Sequence, residues 1–432
     1  MRLKFSILLI IILGVSMAHA ATVHRIVIDG VINPAAKDYI EKSILRAEEE
    51  NAELLIIQMD TPGGLMSSMH EISKAIQNAY VPVAVYVAPG GARAGSAGVY
   101  ITYASHIAVM APATNIGSAH PVFGSGIGGQ QPDSASSETM MEKVINDAVA
   151  KIKAVAEKRG RNAEWAEKAV RESANITAEE ALALNVIEYI APDTDSLLTA
   201  VDGIVIKLDV GVEKELRTKN VRIVTYEMDW RQRLLDVISN PNIAYFLMIL
   251  GFYGLLFELY SPGAILPGVV GGISLILGLY ALQTLPVNYA GLLLIIFAII
   301  LFLLEIKVQS FGLLSIGGVI ALVLGSVMLI DSPFPFLQIS WQVILGVVII
   351  TILFFGFAIG MAIRTFRSKV NTGREGMVGE IGEVYKTINP EGRIKIHGEL
   401  WKALSDEKIT KGKRVKIVEY DGKNLLVKVK KI

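Results

Sequence analysis

The chain has 432 residues, 52% of them hydrophobic, with 41 basic residues balanced by 41 acidic ones. That length exceeds one ordinary domain, the apolar share exceeds that of a purely soluble protein, and the neutral balance gives no electrostatic case for nucleic-acid binding. Cysteine is absent, which excludes thiol nucleophiles, thiolate metal sites and disulfide staples together.

The first element is a targeting segment. "MRLK" is a short basic region, "FSILLIIILGV" an apolar core of signal-peptide length, and "SMAHA" ends in the small-x-small pattern that signal peptidase accepts. Residues 1–20 therefore read as a secretory signal cleaved after Ala20, with an uncleaved anchor as the other reading. Either one carries the segment that follows out of the cytoplasm.

From residue 21 to 203 strands and helices alternate. "HRIVIDGVI", "AELLIIQMD", "VPVAVYVA", "HIAVMAP" and "VIEYIA" read as strands, and "NPAAKDYIEKSILRAEEE" and "MSSMHEISKAIQNA" as helices. Continuous apolar strands separated by helical segments predict a largely parallel sheet covered on both faces. "GSGIGGQQPDSASS" has no apolar period and reads as a loop, followed by helices near 138–158 and 162–173. Thr177 and Glu180 form a capping box at the start of a further short helix. Residues 204–240 are mixed and charged, and are read as an extension and linker.

Residues 241–363 are dominated by apolar runs. Five spans are expected, near 243–260, 264–283, 288–305, 311–330 and 341–363. An odd number leaves the C-terminus inside if the N-terminal domain is outside, and Lys307, Arg364, Arg367 and Lys369 fall on the inner side accordingly. Glu258 and Glu305 sit at span ends, where a carboxylate reaches interfacial water, and no chemistry is assigned to them. Residues 373–432 return to short alternating strands with glycine-containing turns, which predicts a small five-stranded barrel of the OB type. Its modest positive charge, with little aromatic interleaving beyond Tyr385, Trp401 and Tyr420, suits an adaptor facing protein or lipid better than a single-strand binder.

Chemistry centres on "APGGARAGSAGVY", where Ser96 precedes a helix-like run. The histidines His19, His24, His70, His106, His120 and His397 show no pair at metal-ligand spacing, so no metal or other cofactor is expected. A Ser-His-Asp triad stays open on sequence, although packing or surface roles suffice for His106 and His120. A lysine can serve instead, if desolvation lowers its pKa from ~10.4 toward ambient pH. Lys143, Lys151 and Lys153 are the candidates, and the helical wheel places Lys143 roughly opposite the stripe of Val144, Ile145, Ala148, Val149 and Ile152. "MDTPGG", ending a buried strand one βα unit earlier, offers a diglycine whose backbone amides could face a carbonyl oxygen.

"DTPGG", "ARAGSAGVYI", "HIAVMAP", "NIGSAHP", "ITAEEALALNVIE" and "GELWKA" together resemble full-length NfeD proteins. These are membrane-bound, stomatin-associated members of the Clp protease and signal-peptide-peptidase group, and the likeness runs through nearly all of the mature chain. It implies an α/β crotonase-like (ClpP-type) N-terminal domain, a multi-span α-helical membrane domain and a small β-barrel (OB-fold) C-terminal domain. It implies a serine endopeptidase with a Ser/Lys dyad: Ser96 as nucleophile, Lys143 as general base by its distance from Gly160-Arg161-Asn162, and Gly63 and Gly64 as oxyanion hole. Substrates would be hydrophobic stretches of peptides or membrane proteins, including the C-terminal region of a stomatin-like protein. The expected setting is the cell membrane, with the protease domain extracytoplasmic, the barrel cytoplasmic, lipid contacts and an assembly of at least a dimer. The competing reading is a non-enzymatic membrane scaffold that recruits stomatin- or flotillin-like proteins through the OB-fold domain.

One prediction comes from the N-terminal segment alone. Edman sequencing of the mature chain extracted from membranes should begin at Ala21; a chain that begins at Met1 would establish the anchor reading.

Overall fold

A computed structural model of the chain describes residues 21–122, 134–260, 263, 265–283, 285–308, 310, 312–332, 335–367, 374–421 and 425–432. The signal assigned to residues 1–20, and residues 124–133 of the loop "GSGIGGQQPDSASS", lie outside the described residues. The chain divides into two compact units between Ile350 and Thr351.

In the first unit the elements follow one another as β1 (Thr22–Asp29), α1 (Pro34–Glu49), β2 (Leu54–Asp60), α2 (Met66–Gln77) and β3 (Val83–Val87). Next come β4 (Arg93–Gly95), α3 (Ala97–Ala104), β5 (Ile107–Met110), β6 (Asn115–Gly117), α4 (Ser134–Arg159) and α5 (Ala163–Arg171). After these lie β7 (Asn175–Thr177), α6 (Ala178–Ala183), β8 (Tyr189–Ile190), α7 (Thr194–Val201), β9 (Val205–Lys207), β10 (Glu213–Glu215) and β11 (Arg222–Thr225). The main sheet runs β11-β1-β2-β3-β5-β8, and every pairing in it is parallel. β2 and β3 read LLIIQMD and VAVYV because helices bury both of their faces. A second sheet, β4-β6-β7, carries the residues just before the helix α3. This layout of βα units with a small accessory sheet is the crotonase-like architecture expected for the N-terminal domain.

The segment 204–240 contributes more than a linker. β11 pairs parallel to β1 in the register Thr22↔Arg222 to Arg25↔Thr225 and so adds an edge strand to the main sheet. Helix α8 (Trp230–Ile238) follows, N-capped by Asp229 in a capping box with Gln232. Its Trp230, Leu234 and Val237 are exposed on one side, at i, i+4 and i+7 spacing.

Five apolar helices come next: α9 (Pro241–Tyr260), α10 (Ile265–Leu282), α11 (Tyr289–Lys307), α12 (Leu313–Met328) and α13 (Trp341–Arg367). Apolar stretches long enough to cross a bilayer occupy Pro241–Leu259 and Ile265–Leu282, while those at Tyr289–Glu305, Leu313–Met328 and Trp341–Phe357 are shorter. Small residues let α9 and α10 close on each other: a Cβ built on Gly254 would stand 2.6 Å from the Cα of Gly271. Glu305, half-buried at the end of α11, is engaged by the start of the next helix. Its carboxylate accepts from Ser310 Oγ at 2.7 Å and from the amides of Gly312 and Ser315 at 3.0 and 2.9 Å, which caps the N-terminus of α12.

The second unit contains a closed barrel in the order β12-β13-β14-β16-β15 (β12 Ile381–Lys386, β13 Glu391–Ile396, β14 Glu399–Leu404, β15 Arg414–Asp421, β16 Leu426–Lys431). Alternate residues such as Val384, Ile394, Val415, Ile417 and Val427 fill it, as the two-residue period requires. It is the five-stranded OB-type barrel expected from the sequence.

A buried polar knot fixes α3 in the first unit. All eight residues of the helix are buried. Its C-terminal carbonyls have no helical donors, and arginines take that role. Arg161 donates to the carbonyls of Thr102 (2.9 Å), Tyr103 (2.9 Å) and Ser105 (3.1 Å), and its other nitrogens reach Glu188 at 2.7 and 2.8 Å. Arg159 donates to the Ala104 carbonyl at 3.0 Å and to Asp209. His106, next along the chain, accepts the Val83 amide at Nδ1 (3.2 Å), while its Nε2 is buried without a partner.

Burial, reinforced by Arg159 and Arg161, pushes the His106 imidazole down to about 3. Its folded pKa lies below the unfolded value, so its contribution to stability is full above pH 6.5 and is lost as pH falls from there toward 3. Thermal unfolding of the full chain in detergent should therefore lose up to ~1.4 kcal/mol of stability per pH unit through this group. In His106→Asn, which keeps an acceptor for Val83, the acid limb should be shallower. An unchanged limb would show that other groups set it.

Candidate active site

Ser96 lies between β4 and α3 with φ 49° and ψ −106°, a left-handed backbone that a serine adopts only where its surroundings impose it. The Ser96 amide donates to the Gly117 carbonyl of β6 at 3.0 Å, which ties this turn to the accessory sheet. Its hydroxyl is half-buried and has no hydrogen-bond partner among the described residues. It opens into a cavity of about 330 Å³ shared with Gly64, Leu65, Ala97, Tyr100, His120 and Asp147.

The diglycine borders Ser96, and its two residues do different things. Gly63 has φ +119°, and a Cβ there would stand 2.6 Å from the Ser96 Cβ, so only glycine fits beside the serine. Its amide is already engaged, donating to Thr61 Oγ1 at 3.0 Å. Gly64 forms a parallel bridge with Ile32, in which Ile32 donates to the Gly63 carbonyl and Leu65 donates to the Ile32 carbonyl. In such a bridge the central residue's own amide points away from the partner strand. The Gly64 N–H thus points away from Ile32, has no partner among the described residues, and belongs to a residue that lines the Ser96 cavity.

A second free donor is the amide of Ala97. As the first residue of α3 it has no carbonyl four residues back within the helix, and it lines the same cavity. The positive end of the α3 dipole adds to it. Sequence reading passed over Ala97, although the orphan amide of the residue after a serine at a helix start is a general signal.

Lys143 stands apart from this group. It is exposed on α4, makes no hydrogen bond or ion pair among the described residues and does not line the cavity. One turn further along the same face, Asp147 does line it, paired with Lys151 at 2.7 Å. Lys143 is one turn before Asp147 and exposed, off the buried stripe of Ala148, Val149 and Ile152, as the helical wheel has it. Lys153 pairs with Glu167 at 2.7 Å.

Two histidines border the cavity. His120 Nδ1 lies 2.7 Å from the Val170 carbonyl; since a carbonyl can only accept, Nδ1 carries the proton and Nε2 is the acceptor in the neutral ring. Burial, with Lys151 nearby, lowers the pKa of His70, against a weaker opposite effect of Asp147. Tyr100 is held protonated by burial and offers a phenol to the same space. Among the described residues no group of three or more histidine, aspartate or glutamate side chains could hold a metal ion.

Comparison with known proteins gives a consistent picture. Residues 22–203 match a family model described as the N-terminal domain of NfeD1b, residues 242–361 the NfeD integral membrane domain, and residues 374–428 the NfeD-like C-terminal, partner-binding domain. Over 437 residues the chain is 36% identical to the membrane-bound protease PH1510 of Pyrococcus horikoshii, covering 99% of this chain and 97% of that protein. Over 454 residues it is 27% identical to the membrane protein NfeD1b of Bacillus subtilis, covering 98% and 97%. Among solved structures, the 1510-N membrane protease specific for a stomatin homolog from Pyrococcus horikoshii is 33% identical, with a TM-score of 0.44, over 51% of this chain and 99% of that one.

The packing of Gly63 against Ser96 is open to test. Gly63→Ala should slow labelling of Ser96 by a fluorophosphonate about a hundredfold, because the added methyl displaces the nucleophile. Labelling at the native rate would remove Gly63 from the geometry of the site.

Proposed function

The chain belongs to the NfeD family of membrane proteins, and from that premise we propose that it is a membrane-anchored serine endopeptidase with Ser96 as nucleophile and Lys143 as general base. The observation that carries the reading is the unpaired Ser96 hydroxyl in one cavity with two free amide donors, Gly64 and Ala97. That combination suits acyl transfer, in which a tetrahedral oxyanion needs donors prepared in advance. In this reading the Lys143 amine takes the Ser96 proton as the oxygen attacks the scissile carbonyl, and the amides at Gly64 and Ala97 hold the resulting oxyanion. The protonated lysine then gives its proton to the leaving amine, and water releases the acid product and frees the serine. Gly63 shapes the hole, since its own amide is held by Thr61.

One observation favours a second reading of the base. His120 borders the serine with Nε2 as acceptor and Nδ1 fixed by Val170, which is the tautomer a histidine base needs.

The protease domain is assigned to residues 21–203, an extension and linker to 204–240, whose β11 completes the edge of the main sheet, the membrane domain to 241–363 and the barrel to 373–432. Five crossings would put the protease domain outside the cytoplasm and the barrel inside it. The barrel is read as the docking module for a stomatin-like partner, in line with the partner-binding description of the domain model that matches residues 374–428. Substrates are taken to be apolar segments, of such a partner among others, and the enzyme is expected to work as an oligomer in contact with lipid.

The test uses the full chain in detergent and an apolar peptide. Ser96→Ala and Lys143→Ala should each lower kcat/KM by about a thousandfold or more, with His120→Gln within about tenfold of wild type. The reverse order of the last two would make His120 the base. Undiminished cleavage by Ser96→Ala would sink the protease reading and leave the scaffold reading in its place.

A further inference from the structure

The cavity at Ser96 is not walled by the protease domain alone. Leu285 and Pro286, from the connection 283–288 between α10 and α11, line it together with Ser332 and Leu337, from the connection 329–340 between α12 and α13. They face Leu65, Met66 and Met69, the residues that follow the diglycine. Leu65, Leu285 and Leu337 also line a second cavity of about 370 Å³, which reaches Gly30, Asp236 and Val237. The three leucines therefore form a partition with space on both sides.

The two connections are braced against each other. Val287 and Ile330 form an antiparallel bridge, Asn288 donates to the Leu329 carbonyl at 2.8 Å, and Asp331 donates to the Pro286 carbonyl at 3.3 Å. Gln338 Nε2 reaches the Ser332 carbonyl at 2.7 Å, and Ser340 bonds the Asn242 side chain at the start of α9. Among the described residues, neither connection places a charged side chain in the cavity. Such a wall accepts an apolar side chain and leaves a buried charge without a partner.

The wall is also close to the ends of the membrane helices. Leu285 stands three residues beyond the last residue of α10, a reach of at most about 11 Å of chain. A polypeptide leaving a bilayer-spanning helix covers that distance in ~3 or 4 extended residues.

We propose that the membrane domain completes the substrate groove, with Leu285, Pro286 and Leu337 as specificity-determining residues, and that the substrate is a membrane-tethered polypeptide cut in an apolar stretch just outside its own span. This rests on the reading of Ser96 as the nucleophile. The proposal adds that the protease domain by itself holds only part of the site, and that the bond to be cut is selected by its height above the membrane as well as by its side chains.

The experiment uses the full-length protein in vesicles. Two reporters carry the same apolar stretch on one spanning helix, separated from it by about 4 or by about 25 residues. The short tether should give the higher kcat/KM, and Leu285→Asp and Leu337→Asp should each raise KM about tenfold with kcat little changed, while Leu285→Met restores the native KM. Equal rates for both reporters, or a native KM in both aspartate variants, would overturn the proposal. Where an aspartate variant does not fold, Ser96→Ala protein is loaded with the apolar stretch bearing a benzophenone. Cross-links to 283–288 or to Leu337 support the wall, and cross-links confined to 64–70 and 119–122 overturn it. Cleavage that persists in Ser96→Ala would count against the protease reading and not against the wall.

Discussion

Two buried guanidinium groups beneath the C-terminal end of α3 are the constraint from which the site is built. A helix of eight residues does not hold its shape by itself, and α3 must hold it while carrying a serine in a left-handed turn at its front. Arg161 and Arg159 take up the carbonyls of Thr102, Tyr103, Ala104 and Ser105, and their charges complement the negative end of the helix. Glu188, which also accepts the Ala108 amide at 2.6 Å, anchors Arg161 to the main sheet. The opposite end of the same helix then presents the Ser96 hydroxyl and the Ala97 amide in a fixed relation to Gly64.

This coupling explains why residues far apart in the chain share one purpose. The turn Gly160-Arg161-Asn162 ends α4, supplies the clamp under α3 and caps α5 through Asn162. A side chain at one corner of the domain thus reaches the nucleophile through the rigid body of a helix. Gly63 and Thr61 act from the neighbouring strand end in the same spirit: the threonine oxygen occupies one amide so that the next is left for a ligand.

Much of this was legible in the residues. Continuous apolar runs gave the parallel strands β1, β2, β3 and β5, alternation gave the barrel, and the apolar blocks between 241 and 363 gave helices whose ends fall within a few residues of those expected. Ser96 and the diglycine were singled out; Ser96 and Gly64 border one cavity, and Gly63 packs against the serine. What periodicity missed depends on tertiary contact. β11 reads as charged linker because an edge strand needs only one apolar face. The separate fates of Gly63 and Gly64, the free amide of Ala97 and the approach of Leu285 to Ser96 all depend on pairings across many residues, which no local pattern encodes.

The edge strand β11 has a mechanical meaning as well. It is the last strand before α8 and the first membrane helix, and it lies parallel to β1 with Thr22 opposite Arg222. A pull from the membrane end of the chain runs along β11, so the ladder to β1 is loaded lengthwise and its hydrogen bonds share the force instead of opening one at a time. Tyr226 at the exit adds its amide bond to the Arg25 carbonyl and its packing under Arg46. The joint between catalytic domain and membrane is therefore built as a shear coupling, the arrangement in which a short strand bears the greatest load before it slips.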